Sequence, residues 1–192
     1  MDWNELYKGT PAWDVGHPQH AFEVLVEDGE IKPGRALDIG CGKGENAIML
    51  AMNGCDVTGI DLSEIAMSDA KAKAAERHVN VNFVVGDVLR MDKLFKESEF
   101  DVIIDSFLFH TMTDEERPIF ARQVYKVLKP GGKYFMLCFS DKDPAGPGPR
   151  RISKVEIEHT FSSLFKIIYI ADSSLVANTG RREAYLLSAV RC

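Results

Sequence analysis

The sequence predicts an α/β protein with a doubly wound sheet and helices on both faces of that sheet. Short apolar runs, typical of strands covered on both sides, alternate along the chain with longer segments typical of helices. The chain has 192 residues, of which 45% are hydrophobic and 27% charged, which is enough for one domain with a substantial core. We therefore expect residues 1–192 to form a single domain.

Each predicted element follows from a short stretch of sequence. The predicted strands are Arg35–Ile39, Asp56–Asp61, Val81–Gly86, Phe100–Ser106, Lys133–Ser140, Lys166–Ala171 and Ala184–Arg191. The predicted helices are Gln19–Glu27, Glu45–Met52, Ser63–Arg77, Asp114–Leu128 and Ser153–Phe161. Ser63 is a suitable N-cap for the helix that begins there. Pro130-Gly131-Gly132 is expected to end the helix Asp114–Leu128. In sheets of this type, ligands bind at the carboxyl ends of the strands.

The first predicted strand runs into a glycine-rich turn. Gly40, Gly42 and Gly44 stand at alternate positions, so the backbone can turn tightly and approach a ligand without an intervening Cβ. The dinucleotide fingerprint G-x-G-x-x-G would need its third glycine where this chain has Glu45. Asp38, just before the turn, adds a carboxylate that disfavours a pyrophosphate.

The second predicted strand ends in another acid, Asp61. It follows the glycines by about 20 residues, the usual place for an acceptor of ribose hydroxyls. The alternative is a capping role for the helix that begins near Ser63. A glycine turn flanked by acids suits a ribose-bearing ligand that is cationic, and S-adenosylmethionine, with its sulfonium and amino groups, fits that description.

Leu37-Asp38-Ile39-Gly40-Cys41-Gly42-Lys43-Gly44, followed by Gly59-Ile60-Asp61, resembles the motifs of class I S-adenosylmethionine-dependent methyltransferases. The resemblance implies S-adenosylmethionine as cofactor. It also implies a seven-stranded, Rossmann-like sheet whose last strand is antiparallel.

The same resemblance implies further cofactor contacts at the ends of later strands. Leu62 follows the ribose acid. Asp87 would lie beside the adenine amino group and Val88 on the adenine ring, although an Asx-type turn is the alternative for Asp87. Asp105 and Ser106 would face the methionine part of the cofactor.

The amino-terminal stretch Tyr7–Pro18 is interpreted as too polar and too rich in turn formers to belong to the core. Its Thr-Pro-Ala-Trp-Asp sequence resembles the thiopurine, thiol and halide methyltransferase group, in which the tryptophan closes over the cofactor. We therefore expect residues 1–30 to form an arm or lid, with Trp13 over the cofactor site. The alternative is that Trp13 only anchors the arm on the core.

The segment after the fourth predicted strand is expected to line the acceptor pocket. His110 is the candidate general base, because the unperturbed pKa of histidine is about 6.5; the alternative is a capping or solvent-facing role. A dry apolar pocket favours methyl transfer to an anion, and the aromatic candidates for it are Phe22, Phe107, Phe109 and Phe139. Arg150 and Arg151, in the Pro- and Gly-rich loop Asp141–Arg151, either attract an anionic acceptor or are solvated, and the second is favoured.

The expected acceptor is a small molecule with a thiol, phenol or heteroaromatic nucleophile. The net charge of −6 argues against nucleic acid. So does Asp105-Ser106-Phe107-Leu108, which stands where many nucleic-acid amino-methyltransferases carry Asn/Asp-Pro-Pro-Tyr/Phe. Two other function classes are a non-catalytic S-adenosylmethionine-binding module and a nicotinamide-dependent oxidoreductase, and Glu45 disfavours the latter.

The remaining expectations concern the surroundings of the protein. No apolar run is long enough to span a membrane, and the start of the chain lacks the pattern of a signal peptide. Four scattered cysteines favour a reduced, cytoplasmic protein. Asp14, His17 and His20 do not form a convincing ligand set, so no metal is expected. The sequence does not specify an oligomeric state.

Overall fold

A computed structural model describes residues 2–144, 146 and 148–192. Its strands are β1 (Arg35–Ile39), β2 (Asp56–Asp61), β3 (Val81–Val85), β4 (Phe100–Ser106), β5 (Leu128–Phe139), β6 (Phe165–Ala177) and β7 (Gly180–Arg191). Its α-helices are α1 (Trp3–Tyr7), α2 (His20–Glu27), α3 (Glu45–Met52), α4 (Glu64–Glu76), α5 (Glu116–Val127) and α6 (Lys154–Phe161). Two 3₁₀ helices span Val88–Lys93 and Phe109–Thr111.

The strands form one seven-stranded sheet in the order β3-β2-β1-β4-β5-β7-β6. The first five of these strands are parallel, whereas β7 is antiparallel to both β5 and β6. The predicted sheet with an antiparallel last strand is therefore confirmed. The register pairs Ile39 with Asp105, so the residues that follow β1 and β4 meet at one edge, where the strand order reverses.

Helices cover both faces of the sheet, as predicted. Successive strand residues point to opposite faces, so Ala36 belongs to one buried cluster and Leu37 to the other. The Ala36 cluster contains residues of α2, α3 and α4, and the Leu37 cluster contains residues of α5 and α6. A strand buried between two layers must be apolar throughout, which is why these segments were recognisable in the sequence.

The structure extends the sheet beyond the predicted bounds. Strand β5 begins at Leu128, which pairs with Phe100 before a bulge shifts the register to Val102 and Lys133. The predicted helix stop at Pro130-Gly131-Gly132 is therefore wrong in detail, because α5 already ends at Val127 and these residues form the bulge.

Helix α1 was not predicted. It has only five residues, and the Asp2 side chain accepts a hydrogen bond from the Glu5 amide to start it. Tyr7 at its end is buried, so the interpretation of the whole Tyr7–Pro18 stretch as outside the core is wrong for that residue. Within the described ranges, no helix is long and apolar enough to cross a membrane.

Candidate active site

A cavity of about 780 Å³ opens at the carboxyl ends of β1, β2 and β4. Gly40, Asp61 and Ser106 reach it from these three strand ends, and Trp13 reaches it from the amino-terminal arm. Leu62 and Val88, both predicted cofactor contacts, also line it. The cavity is thus at the topological switch point that the fold provides for a ligand.

The glycine turn, residues 40–44, follows β1 with a left-handed backbone at each glycine: φ is +67° at Gly40, +52° at Gly42 and +80° at Gly44. A Cβ on Gly42 would lie 2.6 Å from the Tyr7 hydroxyl, and one on Gly44 would lie 2.8 Å from the Phe83 ring. The turn therefore requires glycine both for its backbone conformation and for contacts within the protein. A second cavity, of about 60 Å³, lies between this turn and the arm.

Asp61 is held by two backbone amides at the end of β2. Its Oδ2 accepts a hydrogen bond from the Gly42 amide at 3.0 Å, and its Oδ1 accepts one from the Ser63 amide at 2.9 Å. Burial raises the pKa of Asp61, and these amides act in the opposite direction. The capping role belongs to Ser63, whose Oγ accepts from the Ala66 amide. Asp61 also lines the cavity, and its carboxylate oxygens can each accept a further hydrogen bond there.

Two further carboxylates are buried on neighbouring strands. Asp105 accepts hydrogen bonds from the Tyr134 hydroxyl at 3.2 Å and the Leu108 amide at 3.1 Å, and burial raises the pKa of Asp105 to about 7. Burial, together with Asp105, raises the pKa of Asp38 well above its usual range. Neither side chain lines the cavity, so the expectations that Asp38 contacts the cofactor and that Asp105 faces its methionine part are wrong, while Ser106 does line it.

Asp87 also departs from its expected position. Its Oδ1 accepts from the Leu89 amide at 2.9 Å and starts the 3₁₀ helix, which is the turn that the sequence left as an alternative. Asp87 is not among the described residues that line the cavity, whereas Val88 is.

The arm lies against the cavity. The Trp13 indole N–H donates to the Tyr7 hydroxyl at 2.9 Å, and its ring meets the rings of Trp3 and Tyr7 edge to face. Trp13 lines both cavities, and the Lys43 ammonium in the glycine turn lies 3.0 Å from the Asp14 carboxylate. Side chains of the arm are thus part of the site wall.

The turn between β6 and β7 fixes the arm from another direction. The Asn178 backbone N–H donates to the Ala12 carbonyl, and its side-chain amide donates to the carbonyls of Pro11 and Asp14. The Gln19 side chain exchanges two hydrogen bonds with the backbone of Val176.

A second part of the site, which we call the acceptor wall, consists of Phe107, His110, Phe139, Asp143 and Arg182, all of which line the cavity. Phe107 has φ of +67°, uncommon for an aromatic residue, and its ring meets those of His110 and Phe139 edge to face. The His110 ring stacks on Phe139 with centroids 4.4 Å apart.

The expected role of His110 as a general base does not fit its hydrogen bonds. Its Nδ1 accepts from the Phe139 amide at 3.1 Å, so the proton of the neutral ring is on Nε2, which is buried without a partner among the described residues. Burial, with help from Arg151 and Arg117, lowers the pKa of His110 to about 3. A ring in this state presents an N–H and has no free lone pair for a proton.

Four other residues predicted for the acceptor pocket are placed elsewhere. Phe22 and Phe109 are completely buried in the two cores. Arg150 forms ion pairs with Asp114 and Glu156, away from the cavity lining.

Arg151 likewise has partners within the protein. It donates to the carbonyls of Pro144 and Pro149, and it lies 3.0 Å from the Asp143 carboxylate. Asp143 and Arg182 were not predicted as site residues, and their side chains form a two-point ion pair at 2.9 and 2.5 Å. No local pattern links two positions 39 residues apart.

Several observations fit S-adenosylmethionine. Gly40, Asp61 and Ser106 line one cavity at the strand ends, and the buried Ser106 hydroxyl lacks a partner among the described residues. A family model described as a methyltransferase domain matches residues 36–132. The chain belongs to this methyltransferase family.

Relatives cover nearly the whole methyltransferase. It is 35% identical to 2-heptyl-1-hydroxyquinolin-4(1H)-one methyltransferase of Mycobacteroides abscessus, over 91% of this chain and 77% of that protein. It is 32% identical to probable thiol methyltransferase 2 of Arabidopsis thaliana, over 90% of this chain and 77% of that protein.

The chain is also 30% identical to a solved structure whose description concerns the conversion of a disulfide bond into a thioacetal group during echinomycin biosynthesis. The match covers 98% of this chain and 91% of the other chain. Its TM-score of 0.88 indicates the same fold throughout. The protein is an S-adenosylmethionine-dependent methyltransferase.

Proposed function

We propose that this methyltransferase methylates a small-molecule thiol, phenol or heteroaromatic nucleophile. The observation that carries the proposal is that one cavity, of about 780 Å³, contains both Asp61 and Gly40 and the aromatic side chains of the acceptor wall. A cavity of this size suits a small ligand rather than a macromolecule. The relatives support it, because one is named for a hydroxyquinolone and another for a thiol.

Residues at the strand ends would hold the cofactor. We assign the ribose hydroxyls of the cofactor to Asp61 and its adenine ring to Leu62 and Val88. We assign its methionine part to the glycine turn and Ser106. The bound cofactor supplies an electrophilic methyl group on a sulfonium.

The rest of the site positions the acceptor and excludes water. Phe107 and Phe139 present apolar ring surface, and Trp13 covers the site from the arm. Holding two reactants at contact distance contributes up to about 7–11 kcal/mol to lowering a barrier, so no covalent intermediate with the protein is needed.

The test has two stages. S-adenosylmethionine or S-adenosylhomocysteine at 100 times its Kd should stabilise the protein by about 2.7 kcal/mol in a thermal melt, and NAD should not. Purified protein is then incubated with thiols, phenols and N-heterocycles, and methylated products are identified by mass spectrometry. Cofactor binding without product from any of these classes would indicate a binding module instead.

Localisation in the cytoplasm is a further prediction. It is supported by the cysteines, all four of which are free in the structure. Cell fractionation with an antibody against the protein checks it.

A further inference from the structure

Resting on the proposed function, we propose that the acceptor enters this site already as an anion, that Arg182 holds it beside the Phe139 ring, and that the protein supplies no general base. Acceptors must then be acidic enough to be ionised near neutral pH, as aryl thiols, acidic phenols and N-hydroxy heterocycles are. Simple alcohols and weakly acidic phenols would not react.

On the acceptor wall, no ionisable side chain is free to take a proton. His110 uses Nδ1 to accept a hydrogen bond and carries its proton on a buried Nε2. Asp143 is held by Arg182 and Arg151, which lower its pKa, so it remains a carboxylate with little affinity for a proton.

The other acids of the cavity lie elsewhere. Asp61 is bonded to the glycine turn, where the ribose is assigned. Tyr7 accepts from the Trp13 indole, and burial raises its pKa, so its phenol remains protonated.

The start of β7 contributes two more charged residues. Side chains alternate along a strand, so Arg182 and Ala184, the partner of Phe139, share one face. Arg181 and Glu183 therefore point to the other face of β7. Both residues line the cavity, but from the face of β7 opposite to Arg182, whose guanidinium lies over the Phe139 ring.

Positive charge is in excess at the Phe139 ring. The Arg182 and Arg151 guanidiniums each lie 5.3 Å from the ring centroid, and they share only one carboxylate, that of Asp143. The Asp143 side chain is 1% exposed and that of Arg182 25%, so Arg182 is the member of the cluster that is open to the cavity. Its Nε and one Nη bond Asp143, and its other Nη has no partner among the described residues.

The reaction balances without a base in the protein. The acceptor loses its proton to solvent before it binds. Its lone pair then forms the bond to the methyl carbon as the bond from that carbon to the sulfonium breaks, and the electron pair of the broken bond stays on sulfur. An anion and a cation thus give two neutral centres, and no proton has to move within the site.

A binding measurement without turnover tests the anion site. In the presence of S-adenosylhomocysteine, 4-nitrophenol and 4-nitrothiophenol are titrated spectroscopically, since their anions absorb at longer wavelength. We expect the pKa of each bound probe to be lower than in water by about one unit, a tenfold preference for the anion.

Variants assign the effect to its source. Arg182→Gln should abolish the shift, and Arg182→Lys should keep part of it. Arg122→Gln, at an exposed arginine of α5, should leave it unchanged. Thermal melts confirm that each variant is folded. An unshifted pKa in the unmodified protein, or a shift that survives in folded Arg182→Gln, would overturn the assignment.

A pH–rate series tests the absence of a base. With acceptors of graded acidity, the inflection in kcat/KM should follow the pKa of each acceptor in solution. One inflection common to all acceptors would reveal a base in the protein and refute the inference. If no acceptor is methylated although cofactor and probe bind, the proposed function fails, and the spectroscopic titration still decides whether the anion site exists.

Discussion

The glycine turn and the acceptor wall meet at one cavity, but they are built differently. The turn and the acid that holds it come from two adjacent strands, β1 and β2, and their geometry follows from glycine backbones and a strand-end carboxylate. The acceptor wall is assembled from side chains of β4, β5, β7 and their loops, joined by contacts such as His110 with Phe139 and Asp143 with Arg182. Local chemistry therefore determines one part, and tertiary packing determines the other.

The largest expected effect is a loss of cofactor affinity from a substitution beside the glycine turn. Asp61→Ala should weaken S-adenosylmethionine binding by about 10²–10⁴, because two charge-assisted hydrogen bonds, each contributing about 1.5–3 kcal/mol, are lost. Isothermal titration measures the affinity. Asp56→Ala, at the exposed start of the same strand, is the matched control and should bind normally. Unchanged affinity in Asp61→Ala would mean that Asp61 only holds the turn.

The second prediction separates core aromatics from acceptor-wall aromatics. Phe22→Ala should destabilise the protein by about 3–5 kcal/mol, as for a fully buried phenylalanine, with acceptor KM unchanged. Phe107→Ala should instead raise acceptor KM about tenfold, the value of one aromatic contact. Urea denaturation measures the loss of stability, and steady-state kinetics measures the acceptor KM. A raised acceptor KM in Phe22→Ala would indicate that Phe22 lines the acceptor pocket after all.

The third prediction uses the pH dependence of stability. The pKa of Asp105 is raised from 3.8 to about 7, so its contribution to stability is present below pH 3.8 and lost as the pH rises to 7. The pKa of His110 is lowered from 6.5 to about 3, so its contribution is present above pH 6.5 and lost as the pH falls towards 3. The two contributions, each about 4–5 kcal/mol when complete, oppose one another between pH 4 and 6.5.

Single substitutions should expose this opposition. Asp105→Asn should lose stability more steeply than the unmodified protein as the pH is lowered from 6.5 to 4, and His110→Gln less steeply. Urea midpoints at several pH values provide the measurement. Parallel curves for all three proteins would show that neither group is held as the structure indicates.

The smallest effect concerns the arm. Asp14→Asn removes a half-buried ion pair with Lys43, worth about 0.5–1 kcal/mol, so amide protection of residues 8–17 should fall about two- to fivefold. Glu5→Gln, in an exposed pair on α1, is the control and should change nothing. Hydrogen exchange measures both, and S-adenosylhomocysteine should increase protection of the arm in the unmodified protein. Equal amide protection of the arm with and without S-adenosylhomocysteine would mean that Trp13 only anchors the arm on the core.

The sequence was sufficient for features that depend on neighbouring residues. Gly40 and Asp61 lie at the strand ends that the sequence predicted, because a buried apolar strand followed by a turn leaves little choice of geometry. The bounds of β1, β2 and β4 were predicted to the residue for the same reason.

The sequence was insufficient where a side chain had competing partners. Phe109 and Phe107 stand two residues apart, yet one is in the core and the other on the cavity, because a 3₁₀ helix rather than a strand follows β4. Asp105 was expected on the cavity, but Tyr134 holds it inside. Arg150 was expected to be solvated or to attract an acceptor, and it pairs with Asp114 from a distant helix start. Such choices depend on residues far away in the chain.

The bonds between Asn178 and the arm have a consequence for the order in which the protein matures. The arm is made first, but its partners at the end of β6 and in the β6–β7 turn are synthesised more than 150 residues later. Contacts that close so long a stretch of chain form late, since their entropy cost must be met by structure already in place. Newly made chains should therefore contain a formed glycine turn before they can bury a cofactor, and a pause in translation before Asn178 would leave the site uncovered.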